Sequence, residues 1–295
     1  MTSSPTVQLL GVPYDAHSSH LRGPAEAPSA VRAALHSGSA NWFTELGGEV
    51  DPGDGGWVDR GDVEVDNDDP AAVESVLAAI EAAATDAITT GGDRPAPLLA
   101  VGGDHLVTWP LVRAVTRQRA ADAADAAGAD ATPPLTIVHV DAHPDLYDEL
   151  DGDRFSHACP FARIMEEGLA DRLIQVGIRT ATNHQRAQAE RFDVEMLELR
   201  SWDGTLPAIE GPVYLSIDVD GLDPAYAPGV SHHEPGGLTT RQLLVLIHEL
   251  GRRPELTVVG ADVVEINPRR DLHDVTAMLG AKLVRELLAL LGAGR

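Results

Sequence analysis

Residues 135–145 read LTIVHVDAHPD. A short, partly β-branched run closes on Asp141, His143 and Asp145, with Ala142 and Pro144 between them. A run of this length and composition reads as a buried strand of a parallel sheet. While the backbone stays extended, alternate side chains point to one side, so the three polar groups would share a face. Ligands of open α/β sheets gather just beyond the carboxyl ends of strands, and this strand ends in metal-type donors.

Similar runs recur on either side: VQLLGV at 7–12, LLAV at 98–101, LIQVGI at 173–178, VYLSIDV at 213–219 and TVVGADVV at 257–264. Helical segments are expected between them near 26–36, 71–89, 107–127, 157–168, 239–251 and 274–291, with Thr239 and Asp274 as N-caps. Repeated βαβ order predicts an α/β fold, one mostly parallel sheet with helices on both faces. No linker divides the chain, so 1–295 is expected to be a single domain. The Gly/Asp-rich stretch 47–70 and the end of the alanine-rich run 120–134 read as loops.

Two further strand ends carry donors. LLAV leads into Gly102, Gly103, Asp104 and His105, and VYLSI leads into Asp218, Asp220 and Asp223. The glycine pair lets the backbone turn sharply before His105. His105, Asp141, His143, Asp145, Asp218 and Asp220 form a candidate metal set, because clustered unpaired carboxylates would otherwise repel one another. Two histidines and four carboxylates exceed what one tetrahedral zinc uses and suit two divalent ions with bridging carboxylates. Two such ions, four carboxylates and one hydroxide leave a centre one charge negative, welcoming to a cationic substrate. Oxygen and imidazole ligation without thiolate favours two Mn²⁺ per chain, and Ni²⁺, Co²⁺ or Fe²⁺ satisfy the same donors.

Composition limits the partners. The 295 residues carry 22 basic and 46 acidic side chains, a formal charge of -24, with Lys282 the only lysine. Such a surface repels phosphate, which excludes nucleic acid as a partner. The acidity has two readings, codon bias in a GC-rich genome or a high-salt interior. A lone cysteine, Cys159, excludes an internal disulfide framework. No apolar stretch reaches membrane-span length, and the first residues lack a secretory signal's basic and apolar regions. These features together predict a cytoplasmic protein with no membrane partner.

GGDH at 102–105, DAHPD at 141–145, SIDVDGLDPAYAP at 216–228 and GADVVEINP at 260–268 resemble the signature blocks of the ureohydrolases, the arginase and agmatinase family. The likeness extends from GVPYD at 11–15 and RGPAEAPSAVR at 22–32 to the C-terminal helix. It implies a three-layer α-β-α fold of arginase type, assembly into homo-oligomers (trimers or hexamers), and a binuclear manganese centre. One ion would take His105, Asp141, Asp145 and Asp218, the other Asp141, His143, Asp218 and Asp220, with Asp141 and Asp218 bridging. His157 in FSHACPF matches the family's proton shuttle, and Glu265 in VVEINP the carboxylate that holds the guanidinium. The implied reaction is hydrolysis of a small cationic guanidino compound to urea and an amine. Asp145 accepts a proton from the attacking hydroxide, and His157 protonates the departing amine.

Substrate choice is less directly written. Asp148, Glu149, Asp151 and Asp153 would repel a carboxylate and tolerate an ammonium, which ranks agmatine first and arginine second, followed by guanidinobutyrate, guanidinopropionate and guanidine. Arg154 is read as a surface residue, although one inward guanidinium would reverse the ranking by clamping a carboxylate. Pro144, Ala158 and GVSHHEPGG at 229–237 depart from the common agmatinase blocks and look like the plant-type arginase branch. His232 in that loop should line the pocket or pack on Pro235. Cys159 is read as a small buried hydrophobe rather than a nucleophile. Two other classes remain: a single-zinc deacetylase of similar fold, and a non-enzymatic polyamine sensor. Retention of His157 and Glu265 argues against the sensor.

Overall fold

Every residue of VQLLGV, LLAVG and TIVHV is buried, because both faces of these strands are covered and neither needs polar alternation. The computed structural model describes residues 6–90, 95–127 and 134–292. Its strands are β1 (Val7–Val12), β2 (Trp57–Asp62), β3 (Leu98–Gly102), β4 (Thr136–Val140), β5 (Arg172–Val176), β6 (Glu195–Leu197), β7 (Gly211–Asp218) and β8 (Leu256–Val264). They form one sheet in the order β2-β1-β3-β8-β7-β4-β5-β6, and each pairing is parallel.

Helices α1 (Ala27–Leu35), α2 (Val73–Thr89), α3 (Thr108–Ala127), α4 (Pro160–Glu166), α5 (Asn183–Arg191), α6 (Thr240–Arg252) and α7 (Val275–Gly292) make the outer layers. Strand parity divides the core. Val7, Leu9, Val138 and Val140 pack with α1, α6 and α7. Leu10, Val12, Ile137 and Leu173 pack with α2, α3 and α4 on the other face, joined by Ala189 of α5. The result is the expected α-β-α sandwich. No described helix is long and apolar enough to cross a membrane.

Three elements depart from the sequence reading. β2 lies inside the stretch expected to be loop, and β6 was not expected; both are sheet-edge strands, paired on one side only. WVDRGD exposes polar residues along most of β2, so it lacks the continuous apolar signal of a central strand. α5, NHQRAQAER, has no apolar stripe and is held instead by a capping box, Thr182 with Gln185. Residues 120–127 of the alanine-rich run are helical, and 128–133 lie outside the described residues. Thr239 caps α6 as expected. Asp274 does not cap α7: it sits at φ +58°, and Asp271 instead accepts the Thr276 and Ala277 amides at 2.9 Å.

Candidate metal centre and adjoining pocket

β3, β8, β7 and β4 are neighbours in the middle of the sheet, so side chains just past their carboxyl ends converge. Gly103 makes the first approach possible: a Cβ there would lie 1.8 Å from the Tyr14 carbonyl oxygen, which accepts the Asp104 amide at 2.8 Å. His105 then turns inward and is wholly buried. DAHPD is not extended throughout. The strand stops at Val140, the chain bends at Ala142 and His143, and Asp145 adopts φ +49°. The three donors converge through that bend rather than by strand alternation.

Two groups of donors result, each with its ligand atoms within 4.8 Å of one another: His105, Asp141, Asp145 and Asp218; and Asp141, His143 and Asp220. Asp141 belongs to both groups, whereas Asp218 falls with the first. His105 Nδ1 lies 3.3 Å from Asp141, 3.0 Å from Asp145 and 3.2 Å from Asp218. His143 Nδ1 lies 3.4 Å from Asp141 and 3.2 Å from Asp220.

The donor chemistry fits divalent cations. Ser216 Oγ donates to Asp262 at 2.7 Å, so it accepts from His105 Nε2–H at 3.0 Å. Nε2 thus carries a proton, and Nδ1, without a hydrogen-bond partner, faces three carboxylate oxygens; burial would lower the ring's pKa, but these oxygens raise it well above its usual value. Lone pairs opposed in this way require a positive charge between them. The titration directions agree. Burial, with Asp220 and Asp141 nearby, pushes Asp218 well above the carboxylate range. Burial also dominates at Asp220, which rises to about 6 despite His143. Burial alone would lower His143, but Asp220 and Asp141 raise it to about 12.

Sequence reasoning missed the supports of these donors. His139 donates from Nε2 to Asp141 at 2.8 Å, accepts from Gln175 at its Nδ1 at 3.0 Å and stacks on Phe161 at 3.9 Å. Its position two residues before Asp141 on the same strand face was the available signal. Asp262 receives Ser216, Tyr214 at 2.8 Å and Thr108 at 3.0 Å, and only the folded sheet juxtaposes these residues.

Beside the donors lies a cavity of about 170 Å³ whose lining includes His143, Asp145, His157, Asp218, Asp220, His232 and Glu265. Glu265 takes φ +64°, which turns its carboxylate inward. One oxygen, Oε1, accepts the His105 amide at 3.0 Å and His157 Nδ1–H at 2.8 Å. The other, Oε2, is buried and unpartnered. Burial would lower the His157 pKa, but the Glu265 charge and hydrogen bond, with Asp145 and Asp104, raise it to about 9. His157 is thus a charged donor at neutral pH.

The same cavity is lined as well by Ser19, Tyr147, Leu150, Ala158, Thr180, Thr182 and Gln185. None of Asp148, Glu149, Asp151 or Asp153 lines it, which removes the expected repulsion of a carboxylate. Asp148 is neutralised by Arg154 at 2.7 Å and Arg163 at 2.9 Å, and Asp153 binds His17 at 2.6 Å. Arg154 also reaches Glu166 at 3.1 Å and faces outward, as its surface reading requires. His232 does line the pocket. Cys159 is fully buried, and burial first, then Asp145, pushes its thiol up to about 12, far from a thiolate.

Residues 5–290 match the model of the arginase family. Arginase 1, mitochondrial, of Arabidopsis thaliana is 44% identical over 302 residues, covering 96% of this chain and 80% of that protein. Guanidinopropionase of Pseudomonas aeruginosa is 40% identical over 208 residues, covering 65% of this chain and 60% of that protein. The solved arginase from Medicago truncatula superposes with a TM-score of 0.81 at 40% identity, covering 98% of this chain and 88% of that one. The mitochondrial relative corrects the cytoplasmic expectation: a single cysteine reports reducing surroundings, not one compartment. The fold, the paired donor groups and the family match along nearly the whole length agree, and the chain belongs to the arginase family of ureohydrolases, binuclear-metal enzymes that hydrolyse guanidino C–N bonds.

Proposed function

We propose that this chain hydrolyses arginine to ornithine and urea. The observation that carries guanidino hydrolysis is Glu265 Oε2, a buried carboxylate oxygen without a partner, set on the wall of a cavity that also opens on the paired donor groups. A planar guanidinium supplies the two or more N–H donors such an oxygen lacks. Arginine moves ahead of agmatine for two reasons. A plant arginase is 44% identical over 96% of this chain, and none of the acidic run that favoured agmatine lines the pocket, Asp148 and Asp153 being paired elsewhere. The neutral wall of Thr180, Thr182, Gln185 and Tyr147 offers hydroxyls and an amide to an amino-acid head group.

In this reading His105, Asp141, Asp145 and Asp218 would hold one cation, and Asp141, His143 and Asp220, joined by Asp218, would hold the other, manganese being favoured by the donor types. Such a pair supplies a water acidified toward neutral pH and positive charge for the transition state. Glu265 orients the guanidinium so that its carbon faces the donor groups. Asp145 takes the proton of the attacking water, and His157 gives one to the leaving amine. Assembly into a trimer or hexamer belongs to the same reading and is checked by light scattering.

Urea release from arginine, agmatine, guanidinobutyrate, guanidinopropionate and guanidine, after loading with Mn²⁺ or Ni²⁺, tests the proposal. The expected result is the highest kcat/KM on arginine. Preference for agmatine would return the earlier ranking, and one tightly held zinc per chain with no urea release would favour a deacetylase-like site.

A further inference from the structure

Glu265 and the catalytic role of His157 leave one atom unexplained. His157 Nδ1 is committed to Glu265 at 2.8 Å, so the proton it gives up must leave through Nε2. That nitrogen does not face open cavity alone: Ser19 Oγ lies 2.9 Å from it. The same hydroxyl lies 3.5 Å from His232 Nε2, and the His232 ring centre is 5.5 Å from that of His20, an exposed residue. Hydrogen bonds thus run from the buried carboxylate through His157 to Ser19 and, at 3.5 Å, to His232, whose ring lies beside that of His20.

The placement of Ser19 is enforced from both sides. Asp15 accepts the Gly23 and Ala25 amides at 2.6 and 3.2 Å and the Arg22 side chain at 2.8 Å, closing the loop over 15–25. Ser18 reaches Asp104 at 3.4 Å, and the His157 amide donates to the His17 carbonyl at 3.3 Å. A hydroxyl held at an imidazole nitrogen both accepts from it and donates onward.

We infer that Ser19 and His232 form a proton relay that recharges His157 after each turnover. The inference rests on the ureohydrolase reading of the site. A guanidinium and one water give urea and a protonated amine, so the cycle as a whole gains and loses no proton. His157 loses the Nε2 proton to the amine, and the consumed water releases one that must come back. In the relay, Ser19 Oγ–H passes its proton to His157 Nε2 as it takes one from His232 Nε2–H, while His232 Nδ1 takes up a solvent proton in the same transfer, so the ring stays neutral.

Charges around the relay support that direction. His157 faces Glu265, Asp145 and Asp104, and so holds a proton.

The test uses the full chain loaded with Mn²⁺ and the substrate on which the wild type is most active. Ser19→Ala should lower kcat about tenfold with KM changed by less than about twofold and metal content intact. Ser19→Thr, which restores the hydroxyl, should recover most of the rate. His232→Phe should lose rate that exogenous imidazole returns. In the metal-free chain, before any turnover, Ser19→Ala should move the ¹⁵N resonance of His157 Nε2 and leave Nδ1 in place. Unchanged or raised kcat in Ser19→Ala would show that the hydroxyl merely blocks His157 and would overturn the relay. So would equal losses in Ser19→Ala and Ser19→Thr, or a stationary Nε2 resonance. A wild type that releases no urea from any guanidino compound would instead overturn the function itself.

Discussion

Asp141 uses both carboxylate oxygens: Oδ2 faces His105 and accepts from His139, while Oδ1 faces His143. Removing the carboxylate in Asp141→Ala should abolish binding of both ions, read by metal analysis. His139→Phe keeps an aromatic ring beside Phe161 but releases Oδ2, and should weaken metal binding roughly 10- to 100-fold without emptying the site. His157 sets a pH dependence. Its folded pKa is raised, so its pairing with Glu265 stabilises fully below the unfolded value of 6.5 and is lost as pH climbs through about 9. Urea unfolding of the metal-free chain should show that alkaline loss, and His157→Gln should flatten it. The six donors were legible because each follows an apolar run at a strand end. Ser19 and Asp262 were not, because a supporting hydrogen bond between distant segments leaves no spacing in a sequence; its partners come from other strands and loops.

Helix ends show the same division. The Thr239 cap and its Gln242 partner are local, three residues apart, and readable as a capping box. At α7 the nearest acidic residue, Asp274, is displaced by Asp271, which reaches across the turn to two amides. Asp271→Ala should therefore cost about 1 kcal/mol of unfolding free energy and Asp274→Ala distinctly less, measured by chemical denaturation. Central strands declare themselves by continuous burial. Edge strands β2 and β6 and the polar helix α5 do not, since each takes its stability from a neighbour or a cap rather than from an apolar pattern of its own.

At the scale of the whole molecule, the charge of -24 acts against compactness. Screening shortens from about 10 Å at 0.1 M salt to about 3 Å at 1 M, so Tm of the metal-free chain at neutral pH should rise across that range. Equal stability at both ends would leave codon bias as the explanation of the acidity. Strand order carries a different consequence. β7 and β8, from the last third of the chain, are wedged between β3 and β4 in the finished sheet. A chain ending after β6 carries His105, Asp141, His143 and Asp145 but lacks Asp218, Asp220 and Glu265, and with them the two strands that join β3 to β4. The donor cluster is therefore complete only once the late pair of strands lies between the two earlier parts of the sheet.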